Sequence, residues 1–379
     1  MKATVADIIQ VMERVAPVQL AEDWDNVGLQ VGEKSWPVKK IWIALDPTPE
    51  VVTAACKNKV DLLITHHPLI FSALTNVDFS TYPGSIIRLA GNHKLAIFSA
   101  HTNLDNTRTG LNDILAKKIG LKNIKVLKQS KTEGIYKLVV FIPAAFEKRI
   151  LDALIEMNSV TAGHYNQCSF RHYEQAPFTQ RKEATSLKES TSEKESGRIE
   201  SADEIRVEAT VNKENLSKVI DTIKTLHPYD VMPYDIYPLF TQETGNGTGR
   251  IGELIISARL SCFADNIRKK FGIKFIKIVG NPDMHIDRAA VCSGSGSSLM
   301  NEFISSGAQV FVSGDLRYHD ARLAEQADLA IIDIGHFVSE FIIVDELEKR
   351  LRKIFDEKQI EVSVEACSIE TDPFWTLHD

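Results

Sequence analysis

The stretch Asp61-Leu62-Leu63-Ile64-Thr65-His66-His67-Pro68-Leu69-Ile70-Phe71 decides how this chain is read. A short apolar run, the pattern of a buried strand, ends in two adjacent histidines and a proline. Proline disfavours the helical region for the residue before it, so His67 is extended and the strand stops there. In open α/β sheets, ligands bind in the crevice beyond the carboxyl ends of the strands, which is where this order puts two imidazoles. Taken alone, the pair reads equally as polar residues capping a strand and bonding to nearby backbone.

The flanking chain makes the strand part of a parallel sheet. Lys40 to Asp46 reads as a strand, and Pro47-Thr48-Pro49-Glu50 opens a helix carrying Val51, Val52, Ala55 and Cys56. The histidine strand follows, giving strand-helix-strand. A further helix holds Ile86, Ile87, Leu89 and Ala90, with Gly91-Asn92 as its C-terminal cap. The strand Lys94 to Ser99 comes next and ends at Ala100-His101-Thr102-Asn103-Leu104-Asp105, a second histidine with a carboxylate; His93 is expected at the surface. Upstream, Glu22-Asp23-Trp24-Asp25-Asn26-Val27-Gly28 has two readings. The plainer is an Asx turn with Trp24 in the core, and the other sets Asp25 and Asn26 near a site.

From about residue 130 the pattern changes. Lys137 to Ile142 reads as a strand, Phe146 to Met157 as a helix, and Gly163 to His172 as extended chain. Ile205 to Val211 is a strand, Lys213 to Leu226 a helix, and Val231 to Tyr237 a last strand, which is the βαββαβ order of a ferredoxin-like α+β fold. Gly245-Asn246-Gly247-Thr248-Gly249 reads as a flexible connection back. The expected division is residues 1–129 plus 246–379 as a discontinuous α/β domain, with 130–245 inserted. Within the insert, Gln180 to Asp203 holds eleven charged residues against only Leu187 and Ile199 as large apolar ones, the composition of a mobile polar loop.

Beyond the insert, Arg288 to Cys292 is a strand running into Ser293-Gly294-Ser295-Gly296-Ser297-Ser298 and a helix from Leu299 to Ser305. Such a loop either cradles an anion or is an ordinary tight turn. Ala308 to Ser313 ends at Gly314-Asp315-Leu316-Arg317-Tyr318-His319-Asp320. Leu329 to Asp333 ends at Ile334-Gly335-His336-Phe337-Val338-Ser339-Glu340, with a helix from about Ser339 to Phe355. His336 and Glu340, four apart at the helix start, share one face. Strand ends therefore carry His66/His67, His101/Asp105 and His336/Glu340. Imidazole and carboxylate without thiolate suit Zn, Mn or Fe, and a pair of ions ~3.5–4 Å apart would use all these donors.

Composition narrows the class. The chain has 379 residues, 44% hydrophobic and 25% charged, with a formal net charge of −7, which disfavours nucleic acid as a partner. Its five cysteines are scattered, without Cys-x-x-Cys spacing, as expected in a reducing compartment. No run reaches the ~20 apolar residues of a membrane helix, and the N-terminus has no signal-peptide pattern, so a cytoplasmic location is expected.

The runs around His66-His67, His101 to Asp105, Ser313 to Ala321, Gly335 to Glu340 and Glu22 to Gly28 resemble the signature blocks of the Nif-three-like (DUF34) family. Its members are often called GTP cyclohydrolase 1 type 2 homologs. The resemblance covers the whole chain. It implies a three-layer Nif-three-like α/β domain and two divalent metal ions, with His66, His67, Asp105, His336 and Glu340 as ligands. His101 and His319 follow as catalytic candidates. It further implies a PII/CutA-like insert, a homohexamer and a nucleotide substrate, possible ring opening of GTP included. A non-catalytic metal-binding or regulatory assembly and a phosphoesterase are the alternatives. The insert keeps the family-like Gly163 to Phe170 and His227-Pro228-Tyr229-Asp230, then departs from the pattern over Arg171 to Asp203.

Overall fold

The computed structural model describes residues 3–129, 135–156, 161–162, 165–166, 169–179, 199–229, 231–239 and 245–375. The chain divides into two compact units, Met1–Ser130 with Glu243–Asp379, and Lys131–Gln242. The first has a mixed α/β fold with two large sheets. In the five-stranded sheet the order is Ser363–Ala366, Lys40–Ala44, Leu62–Thr65, Ala96–Ser99 and Gly28–Val31. All neighbours there are parallel except the last pair.

Local chemistry builds these elements. Thr4 and Asp7 close a capping box at the start of the helix Val5–Val15. Thr48 caps Pro49–Lys57, whose proline falls in the first turn, where its missing N–H costs nothing. Leu62, Leu63 and Ile64 are all buried because parallel strands are covered on both faces. Ile41, Ile43, Leu62 and Ile64 join a core with the helices Val5–Val15, Leu111–Ile119 and His336–Lys358, while Trp42, Leu63 and Ile97 pack beneath the helices Pro49–Lys57 and Gly84–His93.

The six-stranded sheet runs Lys277–Val279, Ala330–Asp333, Val310–Gly314, His285–Ser295, Gly247–Arg259 and Leu121–Gln129. Its centre is parallel, and its flanks are antiparallel. One face (Val291, Val310, Val312, Ile332) shares the core of the first sheet, and the other (Ala290, Phe311, Ile331) packs on Phe303 and Ala324. Arg250 is buried and donates to Asp113, Thr107 O and Gly249 O, tying this sheet to the helix Leu111–Ile119.

Several expectations are corrected. Gly91 and Asn92 lie inside the helix Gly84–His93, and Lys94, at φ +52°, takes the left-handed cap. Gly247 to Gly249 are strand, not a loose connection; a side chain on Gly249 would press on Leu299 and on the Val291 carbonyl. The last long helix starts at His336, three residues earlier than its apolar pattern suggests.

The second unit holds an antiparallel sheet in the order Ser169–Thr179, Ile199–Asn212, Ile135–Pro143 and Tyr234–Pro238, with helices Glu147–Glu156 and Lys213–Leu226. Leu138, Val140, Ile142, Ile205, Val207, Ile150, Val219 and Ile223 form its core. Residues 180–198 of the expected polar loop lie outside the described residues, as do parts of the Gly163 to Phe170 motif. Ile199 to Asp203 belong to a strand. The final strand is Tyr234–Pro238, later than Val231, since Pro233 has no N–H to give the ladder and joins it through its carbonyl, which accepts from Phe141 N. No described helix is long and apolar enough to cross a membrane.

Candidate metal centre

Strand register assembles the site. Ala44, Thr65 and Ser99 are aligned across the five-stranded sheet. Two residues further along each chain stand Asp46, His67 and His101. His66 N and His67 N still donate to Ala44 O and Leu45 O, and Ala100 N donates to Thr65 O, so the ladder holds these ends level. In the other sheet Ser313 is paired with Asp333, and just beyond lie Asp315 and His336. Both sheets thus turn the carboxyl ends of their parallel strands to one cavity of about 550 Å³. His67, His101, Asp105, His336 and Glu340 line it.

Every imidazole is held in the same way. Nδ1 of His66 lies 3.0 Å from Ala100 O, that of His67 2.8 Å from Asp46 Oδ1, that of His101 2.9 Å from Asp25 Oδ1, and that of His336 2.8 Å from Asp315 Oδ2. Each partner accepts only, so each Nδ1 carries a proton, and in the neutral ring Nε2 turns its lone pair inward. This is the arrangement by which an outer carboxylate or carbonyl orients a metal-ligating histidine. Asp315 reaches His336 from a left-handed backbone, φ +50°, just after the strand Val310–Gly314.

The inward atoms fall into two groups. Ligand atoms of His66, His67 and His101 lie within 4.8 Å of one another, and so do those of His67, His336 and Glu340. Glu340 Oε2 is 3.0 Å from Nε2 of both His67 and His336. Asp105 Oδ1 lies 3.8 Å from His66 Nε2 and accepts a hydrogen bond from Ser293 Oγ. His66 and Glu340 are only 2% and 3% exposed, yet His66 Nε2 has no hydrogen-bond partner among the described residues, and Glu340 Oε2 faces the Nε2 atoms of His67 and His336. Buried polar atoms rarely go unpaired, and lone pairs that converge on a common space call for cations.

Protonation tells the same story. Burial would lower the pKa of His67, but Asp46 and Glu340 raise it to about 10. Glu340, opposed by burial and helped by Asp315, raises His336 to about 9. Burial opposes the charging of His66 too, and Asp105 and Glu340 overcome it. Burial works against the Glu340 carboxylate, and His336, His66 and His67 hold it well below the usual range. Asp105 is shifted up, mainly by burial. The pocket therefore binds protons when nothing else supplies positive charge. Nitrogen and carboxylate donors in this arrangement fit divalent first-row ions.

Two glycines make room. A side chain on Gly294, at φ +58°, would collide with Glu340 Oε1. One on Gly314 would strike the Gly335–His336 backbone, where the two strand ends meet. Gly294 N donates to Ser339 Oγ and Ser293 N to Asn112 Oδ1, so these amides of the serine-glycine run serve the scaffold; Ser295 and Ser298 line the cavity.

The candidates from sequence do not all meet here. His319 is exposed at the start of the helix Tyr318–Gln326 with its ring against Tyr318, and it is not among the lining residues. His227, in the other unit, is buried and pairs with Phe141 O. Asp25 is at the site, bonded to His101 and to Thr102 N, whereas Trp24 is 58% exposed rather than in the core. Asp46 and Asp315 were not singled out from sequence; their signal is position alone, since each follows a strand end.

The profile of Duf34/NIF3 (NGG1p interacting factor 3) matches residues 3–373. The chain belongs to this family. It is 35% identical over 367 residues to the GTP cyclohydrolase 1 type 2 homolog of Halalkalibacterium halodurans, covering 97% of each chain. The protein of that name from Bacillus subtilis is 31% identical over 370 residues, covering 98% of each. A crystal structure of a Staphylococcus aureus protein superposes with a TM-score of 0.76 at 31% identity, covering 99% of each chain.

Proposed function

We propose that this Duf34/NIF3 protein is a metal-dependent hydrolase acting on a nucleotide-type substrate at a dinuclear centre held by His66, His67, Asp105, His336 and Glu340. The observation that carries the reading is the pair of donor groups that share His67, each imidazole held at Nδ1 so that Nε2 is left for the group. Divalent ions bound there would supply Lewis acidity and acidify water at neutral pH. Glu340, with Oε2 3.0 Å from Nε2 of His67 and of His336, would be the carboxylate ligand of the group it forms with them.

The remaining steps fall to side chains around the centre. His101 is proposed as the proton carrier: Asp25 holds its Nδ1, leaving Nε2 to take a proton and to return it. His319, exposed and away from the lining, receives no part in this scheme. Ser295 and Ser298 offer hydroxyls to polar groups of the substrate. The names of the relatives support a nucleotide as the substrate class. We further propose that Lys131–Gln242 is a ferredoxin-like insert, a reading supported by its strand order.

Metal analysis combined with a nucleotide panel tests the reading. About two ions per chain and turnover of at least one nucleotide are expected, with ring-opened base or released phosphate telling the two hydrolytic chemistries apart. His66→Ala should lose metal; His101→Ala should lose turnover, and the metal it retains tells a proton carrier from a ligand of the group it shares with His66 and His67. Tight metal binding with no turnover on any nucleotide would overturn the hydrolase and leave a metal-binding protein.

A further inference from the structure

One wall of the cavity is aromatic, and metal binding does not require it. Trp24 and Phe71 line it while remaining 58% and 55% exposed. Their ring centroids are 5.7 Å apart at 43°, and the Trp24 and His101 rings meet at 6.0 Å and 74° in a T-shaped contact. A tilted pair this close has no slot between its rings, so its open faces are the ones available. Large apolar side chains left exposed beside polar functional groups mark a binding surface.

The wall is built rather than incidental. Asn26 Nδ2 donates to Ile70 O at 2.6 Å, and Ile70 N donates to Gln30 Oε1 at 3.2 Å. These bonds stitch the segment bearing Trp24 to the segment bearing Phe71. Asp25, between Trp24 and Asn26, is anchored to Thr102 N and His101. The carboxylate that orients His101 and the indole beside it therefore sit on one anchored segment. Elsewhere the lining brings in polar groups, with Thr248, Ser295, Ser298 and Lys128, the last paired with Glu302, beside the apolar Pro68 and Leu299. A cavity of about 550 Å³ suits a ligand of nucleotide size.

We propose that the open faces of Trp24 and Phe71 form a stacking subsite for the planar heteroaromatic ring of the substrate, holding that ring against His101 and the donor groups. The inference rests on reading the cavity as a nucleotide site, and it adds which residues recognise the base. Stacking tolerates any π-face, so the subsite selects a flat ring, and selection among bases falls to the polar lining.

Equilibrium titration of metal-loaded protein with GMP, ribose 5-phosphate and hypoxanthine tests it. GMP should bind far more tightly than ribose 5-phosphate. Trp24→Ala should weaken GMP about ten- to a hundredfold while leaving ribose 5-phosphate binding and metal content unchanged. Trp24→Phe should restore most of the loss, and Phe71→Ala should weaken GMP in the same sense. Both rings are more than half exposed, so these variants should fold, and an unchanged melting curve checks it. Unaltered GMP affinity in Trp24→Ala with normal metal content would overturn the subsite. If GMP does not bind but hypoxanthine binds in a Trp24-dependent way, the subsite stands and the nucleotide reading falls. Binding of neither overturns both.

Discussion

Asp25 shows how much a single residue decides. Burial opposes its charge, yet His101 and Thr102 lower its pKa to about 2, so it stays an acceptor across the working range. Asp25→Asn should therefore loosen the His101 ring and cost about 10–100-fold in activity or metal affinity, as measured by turnover and metal titration; full retention of both would remove Asp25 from the site. The histidines predict a pH dependence. A raised folded-state pKa gives stability that is complete below the unfolded value and is lost as pH rises through the folded one. For His67 and His336 that loss runs from about 6.5 to about 9–10, so the metal-free protein should weaken over this window. Metal competes for the same lone pairs, so loading at pH 7 should release protons, and affinity should climb with pH up to about 9–10. Calorimetry in buffers of different ionisation enthalpy measures this, and no proton release at pH 7 would contradict it. The histidines were readable from sequence because each follows an apolar strand. Asp25 was legible only as the second of two readings, and Asp46 and Asp315 were not, because an orienting carboxylate is defined by its distance to a ring far along the chain.

The helix His336–Lys358 and the strands before it carry the argument at the scale of elements. His336 is its first residue and Glu340 lies one turn on, which sets Nε2 and Oε2 3.0 Å apart. The shared face was legible from the spacing of four. The start at His336 was not, since no side-chain cap precedes it and Gly335, at φ +86°, turns the chain instead. One residue adds about 100° of helical rotation. Inserting an alanine between Ser339 and Glu340 should swing the carboxylate out of the cavity and abolish binding at the donor group of His67, His336 and Glu340. The same insertion between Glu357 and Lys358, near the helix end, should leave metal content unchanged. Inductively coupled plasma analysis of the two proteins compares them directly; equal metal content would separate Glu340 from the centre. The βαβ order of the first strands was also legible, whereas the strands Leu121–Gln129 and Ser363–Ala366 were not, one being mostly polar and the other short.

At the scale of the molecule, the end of the chain supports its beginning. Ser363–Ala366 pairs in parallel with Lys40–Ala44, and Cys367 N donates to Ile43 O. The segment then brings Glu370 to the end of that strand, where its carboxylate accepts from Leu45 N at 2.9 Å and Asp46 N at 2.8 Å. Asp46 in turn holds His67, the ligand candidate common to both donor groups. A residue more than three hundred positions away along the sequence therefore sets the backbone from which the central imidazole is aimed. Hydrogen bonds to a charged group contribute about 1.5–3 kcal/mol each, so Glu370→Ala should lower stability by roughly that amount or more and weaken metal binding about tenfold through Asp46. Glu370→Gln keeps an acceptor and should fall between. A purely structural contact would lower stability in the metal-free and metal-loaded proteins alike. A positioning role adds a smaller metal-induced gain, because a ligand at a hundredfold excess over its Kd contributes about 2.7 kcal/mol and each tenfold loss of affinity removes about 1.4. Urea unfolding of both forms reads the difference. An undiminished gain in Glu370→Ala would confine Glu370 to the fold, and a reduced one would extend the support of the centre to the far end of the chain.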